Sequence, residues 1–135
     1  MIALDTNVLV RFLVRDDEAQ AASARNLVSS FTVDKPGFVC REVILELVWV
    51  LERAYGFSRE QIADVMEHLV STDVLVVEAG ADVARTAFSY GTGSPGFSDL
   101  MILAAAERSN ALPLHTFDRK AARQEGVTLV SCSKA

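Results

Sequence analysis

The chain has 135 residues, half of them hydrophobic, and a formal net charge of −5. That is the size of one ordinary domain, read here as residues 1–135, able to bury about two-thirds of its unfolded surface without disulfides or a structural metal. The acidic balance offers no obvious phosphate-binding surface, unless several of the acids hold cations.

In chain order, no basic segment leads into a long apolar run, so the N-terminus does not read as a signal peptide. Ile2-Ala3-Leu4 reads as a short buried strand that ends at Asp5. Thr6 and Asn7 are good N-cap residues, and Val8, Leu9, Phe12 and Leu13 follow at helical spacing. Asp16 and Asp17 open a second helix that ends near Ser30, with Ala21, Ala24, Leu27 and Val28 facing inward. Pro36 and Gly37 break the chain before a brief strand, Phe38-Val39-Cys40. Arg41 to Tyr55 is helical: Val43, Leu47, Val50 and Ala54 form one stripe, with Ile44, Val48, Leu51 and Tyr55 beside it. Gly56 stops that helix, and Ser58 with Gln61 makes a capping box for the next, which runs to about Val70.

Val74 to Val77 is a run of β-formers of the kind buried on both faces of a parallel sheet. A helix from Ala81 to Tyr90 follows, and then the flexible stretch from Gly91 to Phe97, too short to link domains. Ser98 caps a helix to about Asn110, Leu114 to Phe117 is a strand that Asp118 ends, and Arg119 to Gln124 makes one or two helical turns. Val127 to Val130 is the last strand. Cys40 and Cys132 are isolated thiols, which points to a reducing, cytoplasmic setting. No apolar segment approaches the ~20 residues that cross a bilayer, so no membrane role is expected.

Strands alternating with helices imply an open parallel α/β sheet whose ligands sit beyond the carboxyl ends of the strands. Asp5 and Asp118 each directly follow a strand. Asp99 lies in the first turn of a helix, and Glu46 about one and a half turns into a helix that leaves a strand's carboxyl end. All four can reach one edge of the sheet. Singly, Asp99 could merely complement a helix dipole and Asp118 start a short helix, each contributing ~0.3–1 kcal/mol. Glu46 stands among Leu45, Leu47, Val48 and Trp49 on the helix expected to be most buried. There an unpaired carboxylate costs several kcal/mol, so it needs a cation, or else Arg41 or Arg53.

Carboxylates gathered at one place repel by ~4 kcal/mol per close pair at an effective dielectric of about 20. Such a cluster needs a cation or a proton to be stable. All-oxygen donors select hard ions, so one or two Mg²⁺ or Mn²⁺ ions are expected. Metal held by carboxylates with open positions suits phosphodiester cleavage, activating a water and stabilising charge on the scissile phosphate.

The opening MIALDTNVLVRFL strongly resembles the first motif of the PIN-domain nucleases, a strand into Asp-Thr-Asn and then an apolar helix. VILELVWVLE, GFSDLMILAAA and LHTFDRK resemble the family's second, third and fourth motifs, in order and spanning nearly the whole chain. Ser98 stands where the family often has Ala, a small residue kept small. The resemblance extends to the short VapC-type toxins of prokaryotic toxin–antitoxin pairs. It implies a PIN-like three-layer α/β/α sandwich with a central parallel sheet of four to five strands. It also implies Asp5, Glu46, Asp99 and Asp118 as metal ligands, supported by Asn7 and Thr116 through hydrogen bonds. The implied activity is Mg²⁺- or Mn²⁺-dependent endoribonuclease cleavage. The implied partners are RNA, a second copy of the chain and a small VapB-like antitoxin that covers the active site.

Other residues have competing readings. Glu42, four residues before Glu46 on the same helix face, is a ligand or supporting base only if that helix is rotated. Arg11 and Arg15 are either RNA-phosphate contacts or solvated surface charges. His115 and His68 read as structural or exposed, and Trp49 and Tyr55 as core or subunit interface. A haloacid dehalogenase-type phosphatase also places an Asp after its first strand. It wants a second acid two positions on, and Asn7 stands there. The non-toxin alternatives within the family are an RNA-processing PIN nuclease and an inactive PIN-like binding module. The latter usually lacks one or more of the acids, and all four are present here.

Overall fold

The computed structural model describes residues 1–93 and 95–132. In chain order these form β1 (Ile2–Ala3), α1 (Thr6–Leu13), α2 (Glu18–Ser29), β2 (Gly37–Val39), α3 (Arg41–Tyr55) and α4 (Arg59–Ser71). β3 (Leu75–Val77), α5 (Gly80–Gly91), α6 (Phe97–Arg108), β4 (Leu114–Thr116), a 3₁₀ turn (Ala121–Arg123) and β5 (Val127–Leu129) follow. Every strand pair is parallel, and the strands form two ladders, β1-β2-β3 and β4-β5. This is the expected α/β/α architecture with its parallel strands divided between two ladders.

Local chemistry sets most boundaries. α3 spans the residues expected of it and ends at Gly56, whose φ of 66° is left-handed backbone that a residue with a Cβ rarely adopts. The Ser58–Gln61 capping box forms in both directions and starts α4. α2 is capped by Asp17, whose side chain accepts from the Gln20 N–H. Two expected caps are displaced. Asp5, not Thr6 or Asn7, caps α1, and Gly96, not Ser98, is the N-cap of α6. Both helices start earlier than expected, so Thr6 and Ser98 stand inside them. The sequence's Gly91 to Phe97 stretch shortens because α5 runs to Gly91; Ser94, within it, lies outside the described residues.

Leu9, Ile44, Leu47, Leu51, Met66 and Met101 are almost wholly buried and make the centre of the core, where α3 joins an α1–α2 group to an α4–α5–α6 group. Two strand expectations are corrected. β1 is not buried: Ile2 is 56% exposed, and burial begins only at Leu4. β1 ends its ladder, so one edge of it lacks a hydrogen-bonded neighbour. β3 is buried on one face only, with Leu75 inside and Val76 exposed, because it ends the ladder on the other side. Among the described residues no helix is long and apolar enough to cross a membrane.

Candidate functional site

Asp5 is delivered by the end of β1. Its extended backbone (φ −82°, ψ 163°) makes it the N-cap of α1, and its side chain accepts from the Thr6 N–H at 2.7 Å. Thr6, the next residue, is buried, and its Oγ1 has no hydrogen-bond partner among the described residues. An orphaned buried hydroxyl beside an exposed carboxylate is uncommon in a folded protein and marks a place for an outside partner. Asn7 is exposed on the following position.

Glu46 projects from α3 into the same cleft as Asp5, Thr6 and Asn7, a space of about 270 Å³ between α1 and α3. The expectation that Glu46 is buried is wrong: it is exposed. α3 buries Val43, Ile44, Leu47, Val48 and Leu51, which leaves position 46 on the opposite side with exposed Glu42 and Trp49. The desolvation argument for a compensating cation at Glu46 therefore falls away. Neither suggested arginine takes its place. Arg41 donates Nη2 to the Met101 carbonyl at 2.8 Å, and the Arg53 guanidinium lies 5.9 Å from the centre of the Trp49 ring. Glu42 does not line the cleft; Glu46 does. Trp49 is 60% exposed, so it is not core.

Asp99 occupies the first turn of α6, with Oδ2 folded back over Gly96, where a Cβ would stand 3.4 Å from it. It lines a smaller cleft with Thr116, His115 and Ile102. Asp118 follows β4, and its Oδ1 accepts from the N–H groups of Lys120 (2.8 Å) and Ala121 (3.2 Å). Its own N–H donates to Thr116 Oγ1 at 3.0 Å. Thr116 thus supports the Asp118 turn, and Oδ2 is the Asp118 oxygen outside these bonds. His115 is exposed, with Nδ1 3.1 Å from the Pro113 carbonyl oxygen, and it lines the same cleft as Asp99 and Thr116 rather than turning away from it.

The acids therefore stand as Asp5 with Glu46 in one cleft and Asp99 beside Thr116 in another. Among the described residues no three Asp, Glu, His or Cys side chains are grouped so as to hold a metal ion by themselves. The donors nonetheless suit a hard divalent cation in kind. Mg²⁺ is commonly held by one or two carboxylates, with waters and substrate phosphate completing its shell. Exposed carboxylates with an unpartnered hydroxyl beside them match that pattern better than a closed protein cage.

The two arginines differ. Arg11 lines the α1–α3 cleft and is tied to Gln20, Asp16 and Tyr55, whereas Arg15 is exposed. Tyr55 is half-buried in that network rather than in an apolar core. Thr6, Asp82 and Thr86 are the polar residues whose burial the sequence reading missed. Thr6 is legible afterwards: it precedes Leu9 and Val10 by three and four positions and shares their inward face. Asp82, buried in α5, accepts from Arg108 Nε of α6 at 3.0 Å and ties the two helices together.

With that geometry in view, the chain belongs to the PIN domain family, which matches residues 2–127. It is 28% identical over 120 residues to the VapC ribonuclease of Aquifex aeolicus (strain VF5), an alignment covering 89% of each chain.

Proposed function

We propose that this chain is a divalent-metal-dependent endoribonuclease and the toxin of a VapBC-type module, working in the cytoplasm as a homodimer restrained by a small VapB-like antitoxin. The observation that carries this reading is the shared cleft of Asp5 and Glu46, walled by the unpartnered Thr6 hydroxyl, in a PIN-family chain similar to a VapC ribonuclease. Asp5, Glu46, Asp99 and Asp118 would hold Mg²⁺ or Mn²⁺, one ion or two. When bound, the metal supplies water activation and charge stabilisation at the scissile phosphate. Asn7, two positions after Asp5 and lining the same cleft, would support it. Thr116, bonded to the Asp118 N–H, keeps that turn in register and leaves Oδ2 open. Glu42 stays outside the cleft, and Arg15 is a surface charge available to RNA phosphates.

The test is cleavage of total cellular RNA by purified protein with Mn²⁺, with Mg²⁺ and with EDTA, beside Asp5→Asn. Discrete fragments that need metal and vanish in the variant are expected. Cleavage that survives EDTA would sink the reading. Expression without an antitoxin should arrest growth, and Asp5→Asn should relieve it. Healthy cells at high wild-type expression would leave an RNA-processing nuclease instead.

One observation favours a second reading, an inactive binding module: Asp5 and Glu46 line one cleft, Asp99 lines another, and Asp118 lines neither. Mn²⁺ separates the two. A metal enzyme should gain several degrees in Tm with millimolar Mn²⁺, and Asp99→Asn should lose most of that gain. A binding module should show no shift in either protein.

A further inference from the structure

The cleft between α1 and α3 is polarised. Asp5 and Glu46 line it nearer the starts of α1 and α3, and Arg11 and Tyr55, hydrogen-bonded to each other, line it near their ends. Six residues separate Asp5 from Arg11 on α1, about 9 Å of helix axis, and nine separate Glu46 from Tyr55 on α3, about 13 Å. Between the two ends the walls are apolar, built from Val10, Val50 and Ala54. The basic end is held in place. Arg11 donates Nε to Gln20 Oε1 (2.6 Å) and Nη1 to Asp16 Oδ1 (2.8 Å) and to the Tyr55 hydroxyl (3.3 Å). Tyr55 donates in turn to Asp16 Oδ2 at 2.7 Å. Guanidinium carries five N–H donors, and these bonds leave both donors of Nη2 outside the network.

We propose that this cleft is the subsite for the ribonucleotide unit next to the cleaved bond. Its phosphate is taken by Arg11, and its sugar and base lie over Val50 and Ala54 toward the Tyr55 ring. Three features select that ligand. An acidic end suited to a cation, followed by a fixed guanidinium, matches the charge sequence of metal-bound phosphate and then bare phosphate along a nucleic-acid strand. Apolar walls and an aromatic ring give an unpaired base a surface to rest on, which a purely ionic ligand would not use. A space of about 270 Å³ between two helices is on the scale of one nucleotide unit. Asp16 keeps Arg11 oriented in the free protein and competes with RNA for it. This subsite deepens, and rests on, the ribonuclease reading above.

The test is fluorescence anisotropy with a labelled single-stranded octaribonucleotide of mixed sequence and Mg²⁺, in the full-length Asp118→Asn background, with each variant's folding checked by thermal unfolding. Arg11→Met should weaken binding about tenfold and lower the salt slope by about 1. Asp16→Asn should tighten binding two- to threefold, because it releases Arg11. Tyr55→Leu should weaken it about tenfold, and Tyr55→Phe by less than twofold. Unchanged affinity and salt slope in Arg11→Met overturn the subsite. So does Asp16→Asn weakening binding as much as Arg11→Met, since the network would then be a structural brace. Cleavage of total RNA by the wild type is read separately. Cleavage with an indifferent Arg11 leaves the nuclease standing and removes the subsite. No cleavage, with Arg11 still required for binding, removes both the nuclease and any subsite beside a cleaved bond.

Discussion

Asp5 has two roles that a single substitution can separate. Its carboxylate caps α1 and also forms the acidic end of the cleft. Asparagine caps about as well as aspartate but carries no charge. Asp5→Asn should therefore keep stability within ~0.5 kcal/mol and lose at least a hundredfold in RNA cleavage. Asp5→Ala should lose activity and also ~1 kcal/mol of stability in urea unfolding. Tyr90 gives the clearest pH signature. It is buried, its hydroxyl is hydrogen-bonded to Glu52, and Arg59 lies 4.3 Å from its ring centre. Burial first, then the Glu52 carboxylate, push the phenol up from 10.0 to about 12. The fold thus favours the neutral phenol, and that contribution is whole below pH 10. It is lost as pH rises from about 10 to about 12, where the unfolded chain ionises first. Urea midpoints at pH 8 and pH 11 should show the drop, and Tyr90→Phe should flatten it while costing ~1–2 kcal/mol at pH 8. Asp16 works in the opposite sense. The Tyr55 hydrogen bond, then Arg11, hold its carboxyl below the usual value, so its contribution fades as pH falls through that lowered value.

At the scale of elements, β2 carries the sheet that positions the acids. It lies between β1 and β3, and Gly37 pairs with Ile2 on one side and Leu75 on the other. A Cβ at Gly37 would stand 2.5 Å from Phe31 Cε2 and 3.0 Å from Leu75 Cδ2. Gly37→Ala should therefore destabilise by ~1–3 kcal/mol in urea unfolding, through displacement of the Phe31 ring. A neutral result would mean that the ring moves freely. Helices were more legible than strands. The signals at Gly56 and Ser58 are local, and the structure honours them. The stripes of α3 hold at Val43, Ile44, Leu47, Val48 and Leu51, while Val50, Ala54 and Tyr55 line the cleft instead of the buried core. Residues 2–4 and 74–77 have strong β-forming composition, but their burial depends on which neighbours they pair with. No local signal reports that, and both strands end the same ladder.

At the scale of the molecule, acidity and nucleic-acid chemistry come into balance through placement. The net charge is −5, and the Asp16–Arg11 and Asp82–Arg108 pairs leave it unchanged, since each sets one negative charge against one positive. The exposed carboxylates of the α1–α3 cleft remain open to a cation. Mn²⁺ binding should therefore weaken markedly in Glu46→Gln, measured by titration calorimetry, while Glu42→Gln binds as the wild type does. Equal loss in both would move the cation toward the start of α3.

The sequence by itself determined the order of strands and helices, the parallel class and the family. It also placed Asp5 and Asp118 after strands. The elements follow from periodicity, capping and turn chemistry within a few residues, and the family from the resemblance of four short motifs in order. Which side of α3 faces solvent was decided by tertiary packing: the helix turns its fully apolar face to the core and carries Glu46 outward, toward Asp5. The burial of the Thr6 hydroxyl, the clasp of Asp16 and Tyr55 on Arg11, and the placing of Asp99 in a different cleft from Asp5 and Glu46 belong to the same level. Each joins positions that lie apart in the chain or depends on how helices pack, and such distances are set by the whole fold rather than by any local pattern.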